Sequence, residues 1–470
     1  MEKFTTGFNE ILTVCNDFLY SKFLIILLIV AGLYFTVRTK FVQIRLFPEA
    51  CKVITEKSHT EGGMSSFHAL MIATASRVGT GNIAGVSTAI VLGGPGALLW
   101  MWIMCIIGGA SAFIESTLAQ VYKKKDGKGF IGGPAYYIER ALGQRWLGIL
   151  FAVLLILTFA FGFNGLQSFN ISSAFEYYVP NFSESAVPMI IGIILAIGAG
   201  FLFFAGGNKI GIVSSTLVPI MAAIYIFIGI FIFIKNIDQL PAAMSIVVQE
   251  AFDFESIFGG FAGSCMVLGI KRGLFSNEAG MGSAPNAAAS ADVSHPAKQG
   301  LVQVLSVFID TMLICSTTAF IVLLTGQYEV GGELNGIPLV QQSVASVFGE
   351  TGIHLVTLGI CLFAFTSLIG NYFYAEANIK FISKNKFFMF VFRILAILMI
   401  FTGAQLDLTL AWNLADVIMG GMATVNIISI LLLGGIAIKV LKDYQEQKAR
   451  GLNPVFHAEK LGITNTDCWK

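Results

Sequence analysis

The chain has 470 residues, of which 56% are apolar and only 12% charged, with a mean hydropathy of +0.78. A soluble domain carries about 25% charged residues, so a soluble globule is excluded, and a disordered chain with it. The net charge of +1 offers no bulk attraction to nucleic acid, and the seven cysteines form no CxxC pair, so neither a zinc site nor a disulfide framework is indicated.

Fifty glycines and 41 phenylalanines suit helices packed closely in lipid. Apolar stretches long enough to cross ~30 Å of hydrocarbon fall in chain order at 20–37, 65–92, 96–122, 146–170, 186–205, 210–235, 259–289, 299–325, 352–382, 387–404 and 411–440. They predict an all-α polytopic membrane protein with eleven transmembrane helices. The flank of the first (Glu2, Lys3, Glu10, Asp17, Lys22) is not a basic leader and no small-residue cleavage site follows, so the stretch reads as a retained span. Residues 134–142 read as a short interfacial helix, and the polar segment after Lys442 as a cytoplasmic appendage.

The basic residues then orient the chain. Of 29 Lys and Arg, 23 fall in alternate loops, beginning with 38–64, and in the C-terminal tail, and only Lys3, Lys22 and Lys235 on the other side. Arg77, Lys271 and Arg272 lie within spans. The asymmetry predicts a multi-pass protein of the cell (inner) membrane, with the N-terminus outside and the C-terminus in the cytoplasm. The run Lys123–Lys128 reads as part of this topology signal, with anionic lipid as the alternative partner.

Aligned against itself, the sequence has one informative offset, 195 residues. Arg77, Asn82, Ala84, Gly85 and Ala89 fall on Arg272, Asn277, Ala279, Gly280 and Ala284, and without a gap Phe113-Ile114-Glu115-Ser116 falls on Phe308-Ile309-Asp310-Thr311. Five spans separate the two starts, an odd number, so the second copy is inverted across the membrane. This is the inverted-repeat plan of secondary transporters with one helix in front. The implied organisation is 1–64 (extracellular N-terminus, first helix and cytoplasmic loop), 65–258 (first five-helix repeat), 259–440 (second, inverted repeat) and 441–470 (cytoplasmic tail).

Both repeat-initiating spans contain stretches that make poor continuous helices, Arg77–Gly85 and Lys271–Gly280. A helix-interior Gly costs about 0.8–1 kcal/mol relative to Ala, and a charge at membrane depth costs a few kcal/mol more. Broken helices are expected there, tolerated where the freed backbone lines a cavity or binds something. Gly81-x-x-x-Gly85 alone reads equally well as a helix-packing motif. Gly79-Thr80-Gly81 is no phosphate loop, since GxxxxGK[ST] is absent from the chain and no nucleotide is expected.

These stretches carry a resemblance. Val-Gly-Thr-Gly-Asn-Ile-Ala-Gly-Val (78–86), Gly-Gly-Pro-Ala-Tyr-Tyr-Ile-Glu (132–139), Leu-Phe-Ser-Asn-Glu-Ala-Gly-Met-Gly-Ser-Ala-Pro (274–285) and Thr-Lys-Phe-Val-Gln-Ile-Arg (39–45) resemble the sodium:alanine symporter family, the alanine or glycine:cation symporters. The resemblance covers about residues 25–440. It implies the leucine-transporter type of fold with 5+5 inverted repeats, and import of a small neutral amino acid coupled to sodium.

Carried over residue by residue, it places the backbone of Gly79, Thr80, Gly81 and Asn82 against the substrate carboxylate at the positive end of a half-helix. The carbonyls of Ala75, Val78 and Phe363 and the hydroxyls of Thr366 and Ser367 would hold the co-transported sodium ion. Taken alone, that hydroxyl pair reads better as bonding carbonyls of its own helix. Gln167 matches a substrate-facing Gln, with interhelical packing as the alternative. Phe275 and Ser276 would wall the side-chain pocket, with core packing the plain alternative for Phe275. Where many members carry a Trp shortly after the hydroxyl pair, this chain reads Gly370-Asn371-Tyr372. Asn371 therefore opens the pocket to a larger or polar amino acid such as glutamine.

The intramembrane charges Arg77, Lys271, Arg272, Glu115, Glu278, Asp310, Glu376 and Asp416 read as scaffold or gate pairs, for example Arg77 or Arg272 with Glu115 or Asp310. A proton-coupled transporter of the same fold, using Glu115 or Asp310, is the nearest competing function. An intramembrane enzyme finds no support, because HExxH, GxSxG and Cys/His constellations are absent.

Overall fold

The computed structural model describes residues 2–58, 63–127, 129–205, 207–253, 264–406 and 408–469. The expected boundary between the two repeats, at 258/259, lies outside the described residues.

The chain starts helical. Helix α1 (Glu2–Phe18) passes through a π turn (Leu19–Phe23) into α2 (Leu24–Arg38), so the polar flank continues the first helix. The first expected core span is split into α3 (Ser66–Arg77) and α4 (Ala84–Gly93), with a single 3-10 turn at Thr80–Asn82 between them. Next come α5 (Ala97–Val121), a β-hairpin of Lys124–Asp126 and Gly129–Ile131, and α6 (Pro134–Leu142). α7 (Arg145–Ile156) joins α8 (Asn164–Ser173) through a π segment, and α9 (Val187–Ala205), α10 (Gly207–Lys235) and α11 (Leu240–Ala251) follow.

The second half runs α12 (Cys265–Asn277), α13 (Pro285–Ser290) and α14 (Pro296–Phe308), then a π segment (Ile309–Cys315) and α15 (Ser316–Thr325). It finishes with α16 (Gly336–Phe348), α17 (Glu350–Ile382), α18 (Lys386–Gly403) and α19 (Leu408–Ala449). Among the described residues, eight helices are long and apolar enough to cross a membrane. The other three expected spans, 20–37, 65–92 and 259–289, coincide with shorter helices (α2, α3 with α4, and α12 with α13), none long enough to cross alone, and the start of the last lies outside the described residues. Neither α11 nor α16 is predicted from sequence. Each is amphipathic and too short for a span, burying Ala243, Val247 and Ala251 in one case and Ile337, Val340 and Val344 in the other.

Burial separates centre from periphery. The most apolar window of α5 is 72% buried, whereas those of α9 and α18 are 22% buried and present their side chains outward, where lipid is the natural solvent. α6 has the expected bounds, but Pro134–Ile138 are all buried, so it is wedged into the protein instead of lying along the interface.

Local chemistry explains both interruptions. Ser65 caps α3 by accepting from the His68 N–H (3.2 Å), and α3 ends at Arg77. Beyond it, the Asn82 side chain caps the Gly79 N–H (3.0 Å). A Cβ at Gly79 would collide with Ser367 and Gln167, so only glycine lets the chain pass. The second break lies later than the sequence suggests. Lys271 and Arg272 sit in regular helix, because both pair with Asp416 (2.8 Å each) and need no unwound backbone. Helix α12 stops at Asn277, followed by left-handed Glu278 (φ 55°) and by Gly280 and Gly282 (φ 85° and 84°).

The expected cation-rich loops do share one face. Ion pairs Glu49–Lys448 (2.7 Å), Glu56–Lys298 (2.6 Å), Asp126–Lys380 (3.1 Å) and Arg140–Asp467 (2.8 Å) tie them to each other and to the C-terminal tail. The tail is therefore packed onto that face and is not a free appendage.

Candidate functional site

The two interruptions meet in the middle of the helix bundle, facing α8, the π segment before α15 and the centre of α17. Ser367 stands where α17 crosses the first break. Its Oγ lies 3.0 Å from the Ala75 carbonyl, 3.4 Å from that of Val78 and 3.0 Å from that of Phe363. Thr366 Oγ1 donates to the same Phe363 carbonyl (2.9 Å) and lies 3.6 Å from Met221 Sδ. Ser367 thus makes the i−4 bond expected of it alone, Thr366 bonds the i−3 carbonyl instead, and Ser367 in addition bridges to the freed backbone of α3. The result is a buried group of hard oxygen donors with no carboxylate, a donor set that suits a small hard cation.

One turn further along the break, Gln167 Oε1 accepts from the Thr80 N–H (3.1 Å), and Asn170 donates to Thr80 Oγ1 (3.0 Å). Gln167 is engaged with the break itself, so packing between helices does not exhaust its role. Phe275, in the last turn of α12, covers Gly81: a Cβ there would strike the ring. The same ring packs against Phe163 (centroids 4.5 Å) and Trp412 (5.1 Å), and the Arg272 guanidinium lies over Trp412 at 3.9 Å. Asn371, one turn after Ser367, donates to Asn164 Oδ1 (3.0 Å) and accepts from Ser76 Oγ (2.8 Å).

Asn82 and Ser276 converge on a residue the motifs do not contain. Asn82 Nδ2 donates to Asp310 Oδ1 (2.6 Å) and to Ser276 Oγ (2.9 Å), and Ser276 Oγ donates to Asp310 Oδ2 (2.7 Å). All three are fully buried. The signal for Asp310 in the sequence is its alignment with Glu115 across the internal offset. Glu115 accepts from the Gly280 and Gly282 N–H groups (3.3 and 3.0 Å) and from Asn426 (2.7 Å).

The expected pairing of Arg77 or Arg272 with these carboxylates does not occur. Arg272 takes Asp416, while Arg77 donates to Gln303 (3.2 Å) and, among the described residues, has no carboxylate within ion-pair distance. Backbone N–H groups of the second break and Asn426 satisfy Glu115 instead, and the side chains of Asn82, Ser276 and Thr311 satisfy Asp310. Trp412, Asn164 and Ser76 also belong to this centre and carry no sequence signal of their own.

The architecture is that of a solved structure, MhsT in complex with L-phenylalanine, with a TM-score of 0.55 at 14% identity over 81% of this chain and 98% of that one. That likeness is one of fold, the leucine-transporter type; the class, a secondary transporter and not an enzyme, comes from the family to which the chain belongs. The chain belongs to the sodium:alanine symporter family, which matches residues 5–458. Among curated relatives, it is 45% identical to the amino-acid carrier protein AlsT of Bacillus subtilis (100% of this chain, 99% of the relative). It is 46% identical to the probable sodium/glutamine symporter GlnT of the same organism (98% and 96%). It is accordingly a multi-pass membrane protein of an amino-acid symporter family.

Proposed function

We propose that the protein imports a neutral amino acid together with sodium by alternating access, from a site between the two broken helices. Eleven spans, a 5+5 inverted repeat and a cytoplasmic tail form the layout of this reading, and the basic face is cytoplasmic by the positive-inside rule. Sodium is held by the carbonyls of Ala75, Val78 and Phe363 with the hydroxyls of Thr366 and Ser367. The single observation that carries the reading is the meeting of Ser367 Oγ with three carbonyl oxygens across the first break.

The substrate carboxylate takes the Thr80 N–H, displacing the Gln167 acceptor, beside Gly79, Gly81 and Asn82. Phe275 and Ser276 wall the side chain. Alanine or glycine is the substrate that the family's description favours. One observation favours a larger, polar substrate such as glutamine: the buried amides of Asn371 and Asn164 lie beside the first break, and among the described residues Asn164 Nδ2 has no hydrogen-bond partner. Another observation supports coupling to protons: Asp310 is bonded to Asn82 and Ser276 beside the first break.

The test is uptake of labelled alanine into proteoliposomes with sodium and proton gradients imposed separately, and glutamine as competitor. Sodium-driven uptake blocked by alanine and glycine supports the main reading. Stronger competition by glutamine moves the substrate to the polar class. Uptake that follows pH and ignores sodium overturns the ion site.

A further inference from the structure

We propose that residues 452–469 form a strap that holds the cytoplasmic end of the pathway shut, and that its undocking is part of opening on that side. The proposal rests on the alternating-access reading above. Its observations lie elsewhere, on the basic face, about one half-helix away from the breaks.

On this face α3 begins and α13 ends, and the two ends are clipped together. The Asp292 N–H donates to the Met64 carbonyl (2.8 Å), and Met64 and Ala291 form a parallel bridge. A path to the cytoplasm along these half-helices requires the clip and its surroundings to move. The tail crosses the turn that carries this clip and is fixed on both sides of it.

On one side, the Phe456 N–H donates to the Ser294 carbonyl (3.0 Å), and Ser294 Oγ donates to the Pro454 carbonyl (2.8 Å). On the other, the Trp469 indole N–H donates to the Gln120 carbonyl at the end of α5 (2.7 Å). The rings of Phe456 and Trp469 meet edge to face at 5.3 Å, closing the strap on itself.

The groups beneath the strap are ones that water would otherwise solvate. Lys298 is 0% exposed, with its ammonium on Glu56 (2.6 Å) and on Asn453 Oδ1 of the tail (2.8 Å). Lys123 is 2% exposed, lies under the Trp469 ring at 4.8 Å and donates to the Ala291 carbonyl (2.9 Å). Burial pushes the Lys123 ammonium down to about 8. Burying two ammonium groups is costly unless partners are supplied, and here the tail supplies part of both sets. The docked strap is thus bonded directly to the turn after α13, and through Ala291 and Met64 to the start of α3.

The experiment compares hydrogen exchange in the full-length protein in lipid with that of the double variant Phe456→Ala/Trp469→Ala. Amide exchange across α3 and α13 should rise at least about tenfold, while α9, which the strap does not touch, stays unchanged. Unchanged exchange in both half-helices overturns the proposal. So does an equal rise in every helix, which would make the tail a general stabiliser. A second variant, Ser294→Cys with Phe456→Cys, locks the strap when oxidised. Uptake should stop and return on reduction, and uptake indifferent to the lock refutes the idea. The exchange readout needs no ion or substrate, so its failure is distinct from failure of the sodium-coupled reading.

Discussion

Replacing Ser367 by Ala removes one hydroxyl oxygen and little else. The side chain is fully buried, and its Oγ partners are three carbonyls at 3.0, 3.4 and 3.0 Å. Without sodium the hydroxyl donates to one of them at a time, a bond worth about 0.5–1.5 kcal/mol net. The Phe363 carbonyl keeps its bond from Thr366 (2.9 Å), so the folded protein should persist. On the reading proposed above, the lost oxygen is a sodium ligand at a fully buried position. That deficit is on the order of 1–3 kcal/mol, or roughly 5- to 150-fold in sodium affinity. Substrate affinity at saturating sodium should move far less. Thr366→Ala should act in the same direction but more weakly, because its hydroxyl reaches only one of the three carbonyls. The measurement is the half-saturating sodium concentration for uptake in proteoliposomes, with thermal stability as a control. A Ser367→Ala protein that is folded, active and unchanged in its sodium dependence would refute the assignment.

Gly81→Val should abolish substrate binding without unfolding the protein, since the added atoms enter the space held by the Phe275 ring; equilibrium binding checks this, and near-normal affinity counts against it. Asp310→Asn presents amide hydrogens to donors already on Asn82 and Ser276. Initial uptake should fall at least about tenfold, the scale of a buried unsatisfied group. Loss of a pH dependence with sodium dependence kept would assign the proton to Asp310. The last prediction concerns His295, 0% exposed between the rings of Tyr444 and Phe456 and facing Asp443 and Lys298. Burial holds its pKa below the ordinary 6.5, against the pull of Asp443. The protein with its tail docked therefore binds fewer protons, at His295, than with it undocked. Docking is complete above about pH 6.5 and weakens as pH falls below it, so protease cleavage of the tail should quicken between pH 7.5 and 5.5 and lose this trend in His295→Gln.

The first break is legible in the sequence because its cause is local. Gly79, Gly81 and a capping Asn82 sit within four residues, and each acts on the backbone beside it. The second break is misplaced toward Lys271 because a charged pair in an apolar stretch looks like helix disruption, whereas Asp416, 144 residues away, accommodates both charges within a regular helix. Span length hides α11 and α16, whose apolar faces are narrow. Packing of α6 and the tail depends on partners far along the chain, so their polarity reads as surface. The Ser367 cluster is legible only through the family resemblance. From local rules the hydroxyl pair bonds its own helix, which it does; the two additional carbonyls arrive from α3 by the crossing of α17 over the break.

The same geometry bears on how ion, substrate and gate act together. Glu115 and Asp310, matched across the offset of 195, each reach the break of the opposite half: Glu115 holds the Gly280 and Gly282 amides, and Asp310 holds Asn82. A buried carboxylate deprived of its donors is strongly unfavourable, so neither break shifts without disturbing an acid on the other side. A second link runs directly between the breaks. Ser76 Oγ contacts Glu278 Oε1 (2.9 Å), and Glu278 accepts from Ser283 (2.6 Å) at the far end of the second break. Ser76 lies between the two carbonyls, Ala75 and Val78, that meet Ser367. A cation that fixes those carbonyls also fixes Ser76, and through Glu278 it biases the segment joining α12 to α13. Differential binding to one arrangement is all that a ligand needs to shift an equilibrium. On the proposed reading, the arrangement it selects includes the second half-helix and, at its far end, the clip beneath the tail.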